Sequence, residues 1–326
     1  MKDFKAVVIG ELFPSPLEKL EESCDVRVWK ERTPIPTDTL HEWLEDADGL
    51  ISRGDVSVDE ELVSAFPHLQ VIAQSSVGYD NVDVQACTKK GIPFGNTPDV
   101  LVEATADLAF GLVLTSARKL HDGWDYVRNG QWNTSFDIPL GTDLYGKTLG
   151  IVGMGNIGRS VAKRAQASGM NIIYHNRKPS PKADDVGADY VAFDELLQDS
   201  DFIVVLVPLT SESKGLFGAE AFKKMKSTAH FINASRGPVV HTDDLYDALV
   251  NEDIAHAALD VTDPEPIRKD HPLTNLSNVI ITPHIGSATY ETRNSMSQLT
   301  VDNLLAGLQG KRLPACVNAA EVKQLS

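Results

Sequence analysis

Short apolar runs alternate along this chain with longer segments whose apolar positions recur every three or four residues, the pattern of strands exchanging with amphipathic helices. Between Lys5 and Gly95 the runs 6–9, 26–29, 49–51, 71–73 and 92–94 read as strands, and 16–24, 37–46 and 59–66 as helices between them. Thr37 and Asp59 are placed to cap the second and third helices. The alternation predicts a parallel sheet wound on both faces, since each parallel neighbour needs a crossover and a helix supplies it.

A second series starts at Thr148. The run to Val152 is apolar throughout, as in a buried strand, and it opens onto Gly153-Met154-Gly155-Asn156-Ile157-Gly158 and a helix-prone stretch, 159–167. Further strands are predicted at 171–174, 201–208, 229–237, 255–261 and 279–286, with a helix near 193–198 and Pro208 as a stop. The last three deliver Arg236, Asp260 and His284 to one edge of one sheet. A long helix, 101–120, precedes this series. The stretch 123–145 reads as irregular, and its Trp124, Trp132 and Phe136 mark it as an arm at a subunit interface. The final helix, 290–309, and the tail through 316–318 carry too few strands to fold alone, so they are expected back in the first domain. That makes residues 1–99 with 288–326 one discontinuous domain around an inserted domain, 100–287.

A length of 326 residues suits two domains, and 42% hydrophobic with 23% charged residues excludes a disordered chain. Forty-six acids against 30 bases leave a net charge of −16, which repels nucleic acid and anionic membranes, so an anionic ligand would need locally placed Arg or Lys. Cys24, Cys87 and Cys316 are odd in number and far apart, and His241, His256 and His271 lack metal-ligand spacing with an acid. Neither a disulfide framework nor a metal is expected. The N-terminal apolar patch is too short for a signal-peptide core, and no run approaches the ~18 apolar residues of a membrane span. The chain reads as cytoplasmic.

The glycine spacing carries a mechanism. Gly153 permits a tight turn, Gly155 lets a pyrophosphate approach the backbone, and Gly158 lets the helix pack on its strand, with the helix N-terminus facing the phosphates. Asn176 lies about twenty residues beyond, where an acid would accept from the ribose of NAD. Here the residue is neutral, and Arg177 and Lys178 follow it. A guanidinium can fork onto a 2′-phosphate, so NADPH/NADP is the expected cofactor, with NADH/NAD possible. The small-residue loop 75–81 follows the fourth strand, where successive N–H groups can face an anion.

With Ser76-Val77-Gly78-Tyr79-Asp80-Asn81, Thr105-Ala106-Asp107-Leu108-Ala109, Asn233-Ala234-Ser235-Arg236-Gly237, Leu259-Asp260-Val261, Glu265-Pro266 and Pro283-His284-Ile285-Gly286 added to the glycine turn, the chain resembles the D-isomer-specific 2-hydroxyacid dehydrogenases over nearly its whole length. It is most similar to reductases of glyoxylate, hydroxypyruvate and 2-ketogluconate. The resemblance implies a Rossmann nucleotide-binding domain inserted into a discontinuous flavodoxin-like substrate domain, and a homodimer. It makes Arg236, Glu265 and His284 the catalytic set. Arg236 would hold the carboxylate of a small 2-oxo acid together with the Val77 and Gly78 N–H groups, His284 would act as general acid and base, and Glu265 would orient it. Cofactor contacts are implied at Thr105, at Gly153, Gly155, Asn156, Ile157 and Gly158, and at Asn176, Arg177 and Lys178. Val207 and Pro208, Ala234 to Arg236, and Asp260, His284 and Gly286 complete them, with Asp260 on the nicotinamide carboxamide. Thr262, where the family usually has an aromatic residue, and polar His230 are departures expected to lie away from the chemistry. A corepressor-like nucleotide sensor of the same fold is the rival reading. The absence of a long tail after the last predicted helix counts against it, and Glu265 counts against a formate dehydrogenase, which needs no proton-shuttling pair.

Overall fold

The computed structural model describes residues 2–134, 136 and 138–322. The chain forms two compact units, Met1–Leu101 with Ala288–Ser326, and Val102–Ser287.

In the first unit, β1 (Phe4–Ile9), β2 (Cys24–Trp29), β3 (Gly49–Ser52), β4 (Val71–Gln74) and β5 (Phe94–Gly95) form a parallel sheet in the order β2-β1-β3-β4-β5. Every residue of β3 and β4 is buried, as befits strands covered on both faces. Helices α1 (Pro14–Ser23), α2 (Thr37–Leu44), α3 (Glu60–Ala65) and α4 (Val84–Lys89) make the crossovers. Leu44, Val63 and Phe66 fill one face of the sheet, and Leu20, Val301 and Leu304 fill the other. Asp59 caps α3 by accepting from the Leu62 N–H at 3.0 Å. Thr37 does not cap α2: Pro36 takes the cap position, and Thr37 is already the first helical residue. The last helix, Tyr290–Leu308, packs on this sheet and is capped by Thr289 Oγ1, which accepts from the Thr292 N–H. Behind it, Cys316 bridges to Gly95, and the Asn318 side chain bonds the backbone of Ile92 and Phe94, tying the tail to the edge of β5.

The second unit has seven parallel strands: β6 (Thr148–Val152), β7 (Asn171–His175), β8 (Asp189–Tyr190), β9 (Phe202–Val205), β10 (His230–Asn233), β11 (His256–Leu259) and β12 (Val279–Ile281). Their order is β12-β11-β10-β9-β6-β7-β8, so the winding reverses between β6 and β9, the point at which sheets of this kind open a crevice at their carboxyl ends. β8 is a two-residue edge that the sequence pattern does not announce. Helices α5 (Val102–Arg118), α6 (Leu120–Arg128), α7 (Asn156–Ala167), α8 (Phe193–Asp199), α9 (Ala219–Lys224) and α10 (Thr242–Val250) cover the faces.

The expected helix 101–120 and irregular stretch 123–145 need correction. Lys119, in the left-handed region at φ +50°, ends α5, and α6 follows at once. Leu120, Trp124 and Val127 stand four and three apart, a helical stripe whose members are all more than half exposed. Trp124 therefore belongs to a regular amphipathic pattern after all. Beyond α6, Trp132, Phe136, Leu140 and Tyr145 are also exposed. Ser135 and Asp137 of this arm lie outside the described residues. Among the described residues, no helix is long and apolar enough to cross a membrane.

Candidate active site

The turn after β6 is built by its glycines. Gly153 has φ +109°, and a Cβ there would lie 2.7 Å from the Leu206 carbonyl carbon, so it brings the loop against Leu206-Val207 after β9. A Cβ on Gly158 would meet the Gly153 oxygen at 2.3 Å, which fixes a close start for α7. Above Gly155, in contrast, a Cβ would meet nothing within 4 Å. As the N-cap of α7 it also provides no side chain for the first-turn N–H groups. An open backbone face at a helix N-terminus fits a dinucleotide pyrophosphate beside Gly155, Asn156 and Ile157.

Three further strand ends converge in this unit. Asn233, 1% exposed, shapes the turn after β10: its Oδ1 accepts from the Ser235 N–H and hydroxyl, and its Nδ2 donates to the Arg236 carbonyl at 3.0 Å. Arg236 Nη1 donates back to the Ser235 carbonyl at 2.8 Å. A Cβ on Gly237 would lie 1.9 Å from the Thr262 oxygen, so only glycine lets the arginine turn pack on the backbone that leads to Glu265. Glu265 Oε1 then meets His284 Nδ1 at 2.6 Å, both side chains being partly exposed. Burial alone would raise the Glu265 carboxyl, but the hydrogen bond and charge of His284, the Thr262 N–H and the Arg236 charge outweigh it and hold the group below the ordinary carboxylate range.

Asp260 sits under this arrangement, 2% exposed. Its Oδ1 accepts from Thr282 Oγ1 at 2.6 Å and from the Ile285 N–H at 2.8 Å, and its Oδ2 accepts from the Gly286 N–H at 2.9 Å. The carboxylate thus straps down the turn that carries His284, whose φ is +54°. Thr105 on α5 closes the cluster, since a Cβ on Gly286 would stand 3.3 Å from both its methyl carbon and Asp260 Oδ2.

In the first unit, the loop after β4 is held by buried Gln74. Its Nε2 donates to Ser76 Oγ, the Gly78 carbonyl and Asn81 Oδ1, and its Oε1 accepts from Ser52. The Val77 carbonyl accepts from Asn96. The Val77 and Gly78 N–H groups have no acceptor among the described residues.

Residues 110–286 match the family model described as "D-isomer specific 2-hydroxyacid dehydrogenase, NAD binding domain". The chain is 42% identical to a glyoxylate reductase of Korarchaeum cryptofilum over 98% of its own length and 97% of the relative's. It belongs to the D-isomer-specific 2-hydroxyacid dehydrogenase family. Among solved structures, a Thermus thermophilus protein superposes with a TM-score of 0.91 at 41% identity, covering 96% of this chain and 99% of that one. An NADPH-dependent glyoxylate/hydroxypyruvate reductase of Sinorhizobium meliloti, in complex with NADP and malonate, gives 0.87 at 33% identity with 99% of each chain covered. The protein is therefore an oxidoreductase, and its two doubly wound sheets are the flavodoxin-like and Rossmann folds of this family.

The dehydrogenase fold brings more cations to the turn after β7 than the spacing indicated. Asn176 Oδ1 accepts from the Met154 N–H at 2.7 Å, so its amide braces the glycine turn itself. Arg177 is exposed and bonds Glu212 at 3.0 Å. Lys178 is exposed, while Lys182, from the short 3-10 turn Pro181–Val186, donates to Asn156 Oδ1 at the start of α7. No local motif marks Lys182, because its neighbour is remote in sequence. Pro208 and Val207 flank the crevice at the end of β9, with the Pro208 carbonyl accepting from Ser213 Oγ at 2.6 Å. Of the two departures, His230 is remote from this edge: it is buried, bonded to Ser116 and stacked on Phe202 and His256, and burial first, then the His256 and Lys119 charges, push it down to about 3. Thr262 does touch the site, contrary to expectation, through a backbone N–H that reaches Glu265 Oε2 at 3.4 Å.

Proposed function

We propose that this dehydrogenase reduces small 2-oxo acids, with glyoxylate, hydroxypyruvate and 2-ketogluconate as the candidate substrates, to D-2-hydroxy acids, and that it prefers NADPH to NADH. The observation that carries the reading is the 2.6 Å contact between Glu265 Oε1 and His284 Nδ1. A charged carboxylate there fixes a proton on Nδ1, which leaves Nε2 as the nitrogen that gains and loses a proton. The nicotinamide cofactor, when bound, supplies the hydride. Negative charge then grows on the substrate oxygen, and His284 Nε2 gives it a proton; in the oxidation direction the same nitrogen takes one. Arg236, anchored through Ser235 and Asn233, holds the substrate carboxylate as a fork and polarises the neighbouring carbonyl. In the first unit, the N–H groups of Val77 and Gly78 are donors that suit an anion.

Arg177, Lys178 and Lys182 around the adenosine end, with no acid at position 176, support the NADPH preference. The names of the relatives support the substrate class. The exposed apolar arm supports a homodimer, whose centre the family resemblance places near α5.

A panel of 2-oxo acids assayed with NADPH and NADH tests the reading. His284→Ala should lower turnover about 100-fold or more, the usual scale of general acid catalysis, with cofactor binding little changed. Near-normal turnover of that variant would remove His284 from the mechanism.

A further inference from the structure

We propose that Glu212 is a specificity-determining residue that opposes binding of the cofactor's 2′-phosphate and so keeps this enzyme open to NADH. The proposal rests on the reading of Arg177 as the phosphate-binding cation. Glu212 accepts from Arg177 Nη1 at 3.0 Å. Neither partner is there by chance of a loose chain. Arg177 follows Asn176, which is pinned by the Met154 N–H at its side chain and by the Tyr190 hydroxyl at its carbonyl. Glu212 sits in a turn after β9 that closes on itself: the Thr210 N–H donates to Ser213 Oγ at 2.8 Å, the Ser213 N–H returns to Thr210 Oγ1, and Ser213 Oγ donates to the Pro208 carbonyl. Two separate strand ends thus set an acid against the guanidinium.

With side chains 80% and 66% exposed, the pair itself adds little to stability. Its weight falls on ligand choice. A 2′-phosphate carries close to two negative charges and seeks two parallel N–H donors of one guanidinium. Glu212 occupies one of those donors and repels the incoming charge, whereas a 2′-hydroxyl brings no charge to repel. Lys178 and Lys182 remain to attract phosphate, so the acid tempers the preference without reversing it.

Calorimetric titration of the full-length protein with 2′,5′-ADP and with 5′-AMP isolates the phosphate, and NADPH and NADH titrations extend it to whole cofactors. Glu212→Gln should tighten 2′,5′-ADP and NADPH about three- to tenfold, the scale of a screened charge pair, and change 5′-AMP and NADH less than about twofold. The gain should shrink in 1 M salt, where the screening length falls to about 3 Å. Unchanged or weaker 2′,5′-ADP binding would overturn the proposal. Arg177→Ala, measured beside it, should weaken 2′,5′-ADP selectively. If it does while Glu212→Gln has no effect, only the role of Glu212 fails; if Arg177→Ala has no selective effect, the reading of Arg177 fails first.

Discussion

Replacing Asp260 by Asn changes one atom and tests whether the turn that carries His284 is held by charge. The carboxylate is 2% exposed and takes three donors: Thr282 Oγ1, the Ile285 N–H and the Gly286 N–H. An amide of the same shape has a single acceptor oxygen. With that oxygen at the Oδ1 position, the NH2 group faces the Gly286 N–H across 2.9 Å, donor against donor. Turned over, it faces the Ile285 N–H, while the Thr282 hydroxyl can rotate to accept. One backbone N–H is left without a partner in either orientation, at about 1–3 kcal/mol, and the remaining bonds lose their charge assistance, so the loss sums to about 2–4 kcal/mol. For a unit of this size that is a fall of about 5–15 °C in melting temperature.

The functional effect follows from where the strap acts. Ile285 and Gly286 are the residues after His284, and a displacement of about 1 Å at a reacting group can cost about 100-fold in rate. Thermal unfolding followed by tryptophan fluorescence, together with steady-state reduction of glyoxylate, measures both. Asp260→Asn should show the lower melting temperature and a turnover reduced about 10- to 100-fold. Wild-type melting and turnover together would show that Asp260 does not hold the turn.

The Glu265 carboxyl lies below its ordinary value of 4.5, so its contribution to stability is complete above that value and is lost as pH falls through the lower, folded one. The acid side of a plot of urea midpoint against pH should therefore be steeper in the wild type than in Glu265→Gln; identical acid limbs would refute the coupling. The exposed stripe Leu120, Trp124 and Val127 predicts a dimer by sedimentation at micromolar concentration, and Trp124→Glu should shift it toward monomer. A wild type that sediments only as monomer with full activity would sink that expectation.

The sequence made the sheets legible because buried parallel strands are written as unbroken apolar runs, and the residues that end them stand at one edge by topology alone. Arg236, Asp260 and His284 could be brought together on that ground. Helix breaks were harder. Lys119 is an ordinary residue in an unusual conformation, and the stripe on α6 spans barely two turns before the glycine- and polar-rich stretch that follows, so its period is too short to stand out. Asn233 opens the Asn233-Ala234-Ser235-Arg236-Gly237 run, yet its role as the brace of the arginine turn shows only in three dimensions, since an amide has no sequence mark that separates bracing from exposure. Lys182 and Glu212 were invisible for a related reason: each meets its partner 26 or 35 residues away, across a chain reversal that no periodicity encodes.

The division of burial within the second unit explains how an exposed histidine can be held in place. His284 and Glu265 keep 46% and 41% of their side-chain surface open, as the proposed proton exchange with a substrate demands. The groups that fix their backbone are buried: Asp260 at 2% under the histidine turn, Asn233 at 1% under the arginine turn, and Gly237 pressed on Thr262 between them. The Asp260 and Asn233 side chains are both hydrogen-bonded to the turns they support, and leaving such a buried group unpaired would cost more than a typical hydrogen bond contributes. Small changes at Asp260 or Asn233 should therefore disturb catalysis more than their distance from the substrate implies, whereas equal changes on the exposed faces of α9 and α10 should not.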